Sequence, residues 1–283
     1  MRIAYIISAY KYPSQLIRLI SRLNLDSANF FVHVDKRTAL EVYQEMVDGT
    51  KHLANVFFLK RYRCYWGGFG HVQATIEGIN EIINRNIPFH YAVLLTGQDY
   101  PIKTNEQIRE YLRESNGKSF LNYFPLPNDE WEGGGMQRVE QWHVRLFNHH
   151  YIFPKNRNFF VKRKFLQGYQ PYGGSSYWCL SSECIAYIHR FIKTNRGFIN
   201  YFRYVDVPDE MIFQTILINS PLAESIVNDD LRYIDWKVLN AGSPAVLDKN
   251  DFECLARSSK LFARKFDMNV DAEVLDLIDQ EIR

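Results

Sequence analysis

Four cysteines in 283 residues, none in a Cys-x-x-Cys pair, are too few and too scattered for a disulfide scaffold or a zinc ribbon. Cys64, Cys179, Cys184 and Cys254 therefore read as free thiols of a reducing compartment. Glycine (15) and proline (10) are too scarce for a collagen-like or low-complexity chain. Charge of one sign is lacking too: 34 Lys plus Arg against 32 Asp plus Glu leave +2, which argues against a nucleic-acid partner. Long hydrophobic runs are missing. The apolar start at residues 1–10 stops at Lys11 and Pro13, short of the ~20 residues that span a bilayer, and it lacks a charged leader followed by a small-residue cleavage site. The expectation is a protein in the cytoplasm or peripheral to the cytoplasmic membrane face. Hydride transfer, P-loop hydrolysis and nucleophile-elbow hydrolysis also lose their marks, because Gly-x-Gly-x-x-Gly, Gly-x-x-x-x-Gly-Lys and Gly-x-Ser-x-Gly are all absent. Asp-x-Asp is absent as well.

Aromatics are abundant: 20 Phe, 18 Tyr and 5 Trp make 15% of the chain. They serve either as core or as flat surfaces for sugars and bases. Apolar runs at Ile3–Ser8, Asn29–Asp35, Asn55–Leu59 and His90–Leu95 predict strands, and the spacing of Leu16, Ile17, Leu19, Ile20 and Leu23 predicts a helix after the first of them. Further helices are predicted around Ala39–Val47, over Gly70–Asn84 and over Asn105–Arg113, the last opened by Thr104. Such alternation implies an α/β fold with a mostly parallel central sheet flanked by helices, ligands binding beyond the carboxyl ends of its strands. Residues 120–174 lack a long periodic segment and read as an acceptor-side region or lid. Regular structure resumes with a strand at Ser175–Leu180, helices at Ser182–Lys193 and Asp209–Leu217, a strand at Leu231–Ile234, and a tail that reads helix, loop, helix.

Six segments carry chemistry. In His33-Val-Asp35, a carboxylate at a strand end can accept from a uracil N–H or a ribose hydroxyl, or simply open the next helix. Trp66-Gly67-Gly68 places an aromatic beside two permissive glycines, suited to close approach of a base or pyranose, or to a tight helix entry with a core Trp. Gln98 and Asp99 follow a strand and offer ligand donors and acceptors, while Gly173-Gly-Ser175-Ser176-Tyr177-Trp178 mixes hydroxyls with aromatic faces, as a sugar would require. Asp209 is placed to cap a helix, leaving Glu210 at the rim as a general-base candidate. Arg264-Lys265, between Phe262 and Phe266, is either a surface pair or a fork for a diphosphate. A basic run at Lys155, Arg157, Lys162, Arg163 and Lys164 reads as a solvated face, with contact to anionic lipid as the alternative.

Taken in order, these segments resemble the core-2/I-branching β-1,6-N-acetylglucosaminyltransferases and the related peptide O-xylosyltransferases. The resemblance also draws on Asn219-Ser-Pro, on residues 231–236 (L-R-Y-I-D-W) and on residues 261–267 (L-F-A-R-K-F-D), and it covers nearly the whole chain. It implies a GT-A-like single domain over 1–283, with a nucleotide-binding half at 1–115 and an acceptor-binding and catalytic half at 116–283. The implied enzyme is an inverting glycosyltransferase that moves GlcNAc or xylose from a UDP-sugar to a glycan or peptide, with no metal and no other cofactor. Carried over by position, Glu210 matches the base, and Arg264 and Lys265 the cations that replace a metal at the diphosphate. Ser8, Tyr10, Asp35, Trp66 and Gly67 fall on the nucleotide side, and Gln98, Asp99, Arg138, Ser175, Ser176, Trp178, Asp209 and Trp236 on the donor-sugar and acceptor side.

The sequence departs from the pattern where one branch has a further Arg: Gly242 stands there, leaving Arg232, Arg257 or Arg264 to replace it. The chain starts at the first strand, which suggests a minimal bacterial catalytic domain. Two rivals remain: a non-catalytic UDP-sugar- or carbohydrate-binding module, and a metal enzyme using His33, Asp35 and His149 or His150, which lack ligand spacing.

Overall fold

A computed structural model of the chain describes residues 1–146, 149–153, 162–236 and 243–282. The first two apolar runs form its centre: β1 (Ile3–Ala9) and β2 (Ala28–Val34) are almost wholly buried, as strands covered on both faces must be. They pair in parallel, Ile3 opposite Ala28 through to Ala9 opposite Val34. β3 (Val56–Phe58) adds in parallel beyond β2, and β4 (Tyr91–Thr96) in parallel on the other side of β1. The crossovers are α1 (Pro13–Leu23), α2 (Leu40–Thr50) and α3 (Gly70–Asn84). After a short β5 (Asp99–Pro101), α4 (Asn105–Glu114) opens with a full capping box from Thr104 and Gln107.

The next stretch contains β6 (Ser119–Leu121), β7 (Phe124–Pro125), α5 (Gln137–Glu140) and a hairpin of β8 (Trp142–Leu146) and β9 (His149–Phe153). It is followed by β10 (Tyr172–Gly173), β11 (Trp178–Ser181), α6 (Ser182–Thr194), α7 (Arg196–Phe202), α8 (Ile212–Ile218), β12 (Ile226–Val227), β13 (Arg232–Ile234), α9 (Phe252–Arg257), β14 (Phe262–Arg264) and α10 (Glu273–Glu281). The central sheet has seven strands in the order β12-β6-β11-β4-β1-β2-β3. β11 is antiparallel to both neighbours; the other pairings are parallel. Alternate residues of β1 feed two cores: Tyr5 and Ile7 join Leu16, Phe262 and Ile278 on one face, while Ala4 and Ile6 join Val72, Trp178 and Phe213 on the other.

Three expectations need correction. The helix read at Asp209–Leu217 is a 3-10 turn over Pro208–Glu210 followed by α8, so Asp209 caps nothing. The tail's loop contains β14, which is short and recognisable only by its partners β13 and β5. The irregular stretch holds the β8–β9 hairpin, whose strands are only five residues each and whose alternating apolar residues in β8 face outward while its polar ones face the body. All four cysteines are free. Among the described residues, no helix is long and apolar enough to cross a membrane.

Candidate active site

Because β1, β2 and β4 run in parallel, their carboxyl ends open on one edge, and β11, running the other way, brings its amino end there. Residues 10–12, 35–37, 96–99 and 175–177 are thereby gathered at a single rim, the usual ligand position of an open α/β sheet.

The acidic side of the rim comes from the turn before α8. Glu210 Oε2 accepts from Arg138 Nη1 at 2.7 Å, and the Arg138 guanidinium lies 3.6 Å from the centroid of the Trp131 ring. Burial, with Asp209 as a neighbouring negative charge, raises the Glu210 pKa to about 7 against the opposing pull of Arg138. The carboxyl is recessed but not sealed, since 32% of its side-chain surface remains open. Asp209 Oδ2 accepts from Ser176 Oγ at 2.9 Å, whereas its buried Oδ1 has no partner. Val207, just ahead, holds φ at 46°, a left-handed conformation that a β-branched residue adopts only under constraint. Part of that constraint is visible: its N–H donates to the Gly67 carbonyl at 3.1 Å.

The cationic side comes from β14. Pairing sets Arg264 opposite Asp99, with 3.3 Å between Arg264 Nε and Asp99 Oδ1, an ion pair whose alignment falls short of a hydrogen bond. Arg264 is also stacked 4.2 Å from the Tyr177 ring. Burial lowers its pKa, partly countered by Asp99. Lys265 is likewise lowered, by burial and then by the positive charges of Arg264 and Lys11. Three cations face two buried carboxylates, Asp99 beside Arg264 and Asp267 at 3.5 Å from Lys11, and the positive charge left over favours an anion. Lys11 follows β1 and lies 4.1 Å from the Tyr12 ring; sequence reasoning missed it, because only the tertiary fold sets it beside Lys265.

The two sides meet through residues 175–177. Ser176 reaches Asp209 while the adjacent Tyr177 reaches Arg264, so neighbouring residues of one short segment tie the turn that carries Glu210 to the strand that carries the clamp. Ser175 Oγ accepts from the Tyr177 N–H and its carbonyl accepts from Gln214. Gln98 stitches this rim to the clamp, with its side chain donating to the Phe266 carbonyl and its own carbonyl accepting from Phe266.

On the nucleotide side, Tyr10 is exposed and half-buried Ser8 lies on the strand beneath. Asp35 is buried and gripped by Arg37 through Nε and Nη2; burial would raise its pKa, but Arg37 holds it below the usual carboxylate value. Arg37 in turn lies 4.7 Å from the Tyr65 ring. Gly67 has φ +64, a backbone that favours glycine, and a Cβ there would push aside the Arg145 Nη2 that lies 2.6 Å away. Trp66 is 75% and Trp236 60% exposed, both free to stack on a ligand.

Trp178 is the clear correction. Expected to face a sugar, it is wholly buried, 6.0 Å from Phe213. Asp99 is also fully buried, occupied by the Thr96 N–H and Arg264, so it orients a cation instead of offering itself to a sugar. Of the basic run, Lys155 and Arg157 lie outside the described residues, Lys162 pairs with Glu140, and Arg163 is buried, donating to the carbonyls of Tyr201 and Tyr204. Gly242 also lies outside the described residues. Arg232 is buried on the Leu94 and Asp230 carbonyls and Arg257 pairs with Glu253 on exposed α9, which leaves Arg264 as the one of the three at the rim. Burial drops the His33 pKa to about 4, and its Nε2 lone pair is spent on the Tyr62 N–H; among the described residues it forms no three-ligand group with Asp35. His150 instead meets His143 and Asp206.

The profile of the Core-2/I-Branching enzyme family matches residues 3–255. Xylosyltransferase 2 of Rattus norvegicus is 27% identical over 308 residues, 99% of this chain and 33% of that protein. The Homo sapiens Xylosyltransferase 2 is 26% identical over 310 residues, 99% of this chain and 33% of that protein. Xylosyltransferase 1 of Rattus norvegicus is 23% identical over 299 residues, 99% of this chain and 35% of that protein. The chain thus spans about a third of the length of the curated relatives it matches. Among solved structures, 4-diphosphocytidyl-2C-methyl-D-erythritolsynthase from Anaerococcus prevotii aligns with a TM-score of 0.35 at 11% identity, covering 69% of this chain and 75% of that one.

Proposed function

This chain belongs to the Core-2/I-Branching enzyme family of glycosyltransferases, and we propose that it transfers GlcNAc or xylose from a UDP-sugar to a hydroxyl of a glycan or peptide, with inversion, in a GT-A arrangement and without a metal at the diphosphate. The observation that supports this reading is the segment at residues 176 and 177, which links the turn carrying Glu210 to the strand carrying Arg264 and Lys265.

In this mechanism the Glu210 carboxylate takes the proton of the acceptor hydroxyl, whose oxygen attacks the anomeric carbon as UDP departs from the opposite face. A pKa of about 7 suits the task, since a base tuned near the working pH combines availability with basicity. Arg138 orients the carboxylate. Negative charge grows on the departing diphosphate, where Arg264, Lys265 and Lys11 are already in place; such preorganised charge is worth several kcal/mol. Trp66 would flank the base and Trp236 the transferred sugar.

The test is thermal unfolding of the chain in a panel of nucleotide sugars, followed by a transfer assay with the best donor. UDP-sugars should raise the Tm and GDP- or CMP-sugars should not, because ligands that bind the native state alone stabilise it by mass action. Protein treated with EDTA should still transfer, and manganese should add nothing. No shift with any UDP-sugar would defeat the proposal, and binding without transfer to any acceptor or to water would favour the non-catalytic binding module.

A further inference from the structure

The β8–β9 hairpin turns one face outward and one inward. Trp142 opposite Phe153, Val144 opposite Tyr151 and Leu146 opposite His149 point out, with Trp142, Leu146, Tyr151 and Phe153 all exposed. His143, Arg145 and His150 therefore point toward the body. There His143 is 4% exposed, and its Nδ1 lies 3.0 Å from His150 Nε2. Asp206 Oδ1 stands 3.9 Å from the first nitrogen and 4.0 Å from the second. His143 Nε2 meets the Gln137 carbonyl at 3.0 Å. A carbonyl only accepts, so that nitrogen carries the hydrogen and the neutral ring presents the Nδ1 lone pair inward. An imidazole held from behind by a carbonyl is the usual support of a metal ligand.

We infer that His143, His150 and Asp206 bind a borderline divalent ion such as zinc, at a site distinct from the diphosphate clamp and independent of the role of Glu210. Two imidazoles and one carboxylate suit zinc or cobalt; magnesium, manganese and calcium prefer all-oxygen sets. Ligands at 2.0–2.1 Å from a tetrahedral ion stand about 3.3 Å apart, so the imidazole pair opens by a few tenths of an ångström and Asp206 closes by roughly 0.6 Å. Without the ion, His150 Nε2 gives its hydrogen to His143 Nδ1. On binding, His150 carries that hydrogen on Nδ1 instead, both lone pairs face the ion, and no proton is lost overall. Arg145 donates to the same Asp206 oxygen, Oδ1, so when the ion takes Oδ1 the guanidinium passes to the second carboxylate oxygen. Asp206 leads directly into Val207 and Glu210, so the ion ties the hairpin to the segment that carries the acidic side of the rim.

The experiment uses the whole chain, stripped with EDTA and desalted, with zinc as the probe. Calorimetry should show one ion per chain, with zinc but not magnesium raising the Tm. In His150→Gln, a change at a half-exposed ring that leaves folding intact by circular dichroism, zinc affinity should fall at least tenfold. Cobalt in place of zinc should give the intense visible absorption of a four-coordinate site in the parent chain and not in the variant. An absence of zinc binding, or equal binding and an equal cobalt spectrum in His150→Gln, which would move the ion to a group such as exposed Cys254, overturns the inference.

Discussion

Glu210 owes its chemistry to its neighbours: burial and Asp209 push its pKa up, and Arg138 pulls it down, so that it titrates at about 7. The rate should therefore fall as pH drops through about 7, as the carboxylate is protonated and the base is lost. Removing Arg138 takes away the charge that favours the ionised form, so in Arg138→Gln the acid limb of the kcat/KM profile should move to higher pH; a limb that stays put would show that Arg138 does not face the carboxylate in solution. Glu210→Gln keeps the shape and removes the basicity. Its UDP affinity should hold while turnover falls by a factor on the order of 10²–10⁴, and unchanged turnover would remove Glu210 from the role. Trp178 shows the limit of composition at this scale. A tryptophan beside hydroxyls looks like a sugar platform, but the next residues enter a central strand, and the ring turns into the core against Phe213.

At the scale of elements, β14 matters more than its length suggests. Three residues long, it joins β13 and β5 in a small sheet that sets Arg264 against Asp99 and delivers Lys265 beside Lys11. Lys265→Ala should weaken UDP binding by roughly tenfold or more, the scale of a lost charge-assisted hydrogen bond; calorimetry showing equal affinity would count against the clamp. The loop carrying Trp66 is a second such element. Its Gly67 combines a left-handed φ with the close approach of Arg145. Gly67→Ala should cost roughly 1–2 kcal/mol in urea unfolding from the backbone alone. It should also lower turnover, because Gly67 holds Val207, three residues before Glu210, through a hydrogen bond.

For the whole molecule, the first 115 residues are not a free-standing unit in packing terms. The face of β1 that carries Tyr5 and Ile7 is covered by Phe262, Phe266, Leu275 and Ile278, and Arg18 of α1 pairs with Asp276 and Asp279 of α10. A fragment ending at residue 115 should show no cooperative unfolding transition, while the whole chain should unfold in one; a sharp transition in the fragment would refute this. Most of the α/β alternation was legible in the sequence, with α3 and the Thr104 cap of α4 falling where periodicity and capping chemistry put them. Those signals are local: an apolar spacing or a cap depends on residues within a turn or two of one another. The recognised segments are local patterns of the same kind, and their order along the chain was enough to indicate the family. What the sequence could not specify is which distant groups meet, since that follows from strand order and from the direction of β11. Tyr12 bonding Asp267, Lys11 beside Lys265, Ser176 on Asp209 and His143 against His150 and Asp206 exist only once the sheet is assembled. Sequence thus determined the elements and the kinds of side chain at their ends. The tertiary structure decided which of those side chains share a rim and which are spent in the core, because burial and charge pairing act through space.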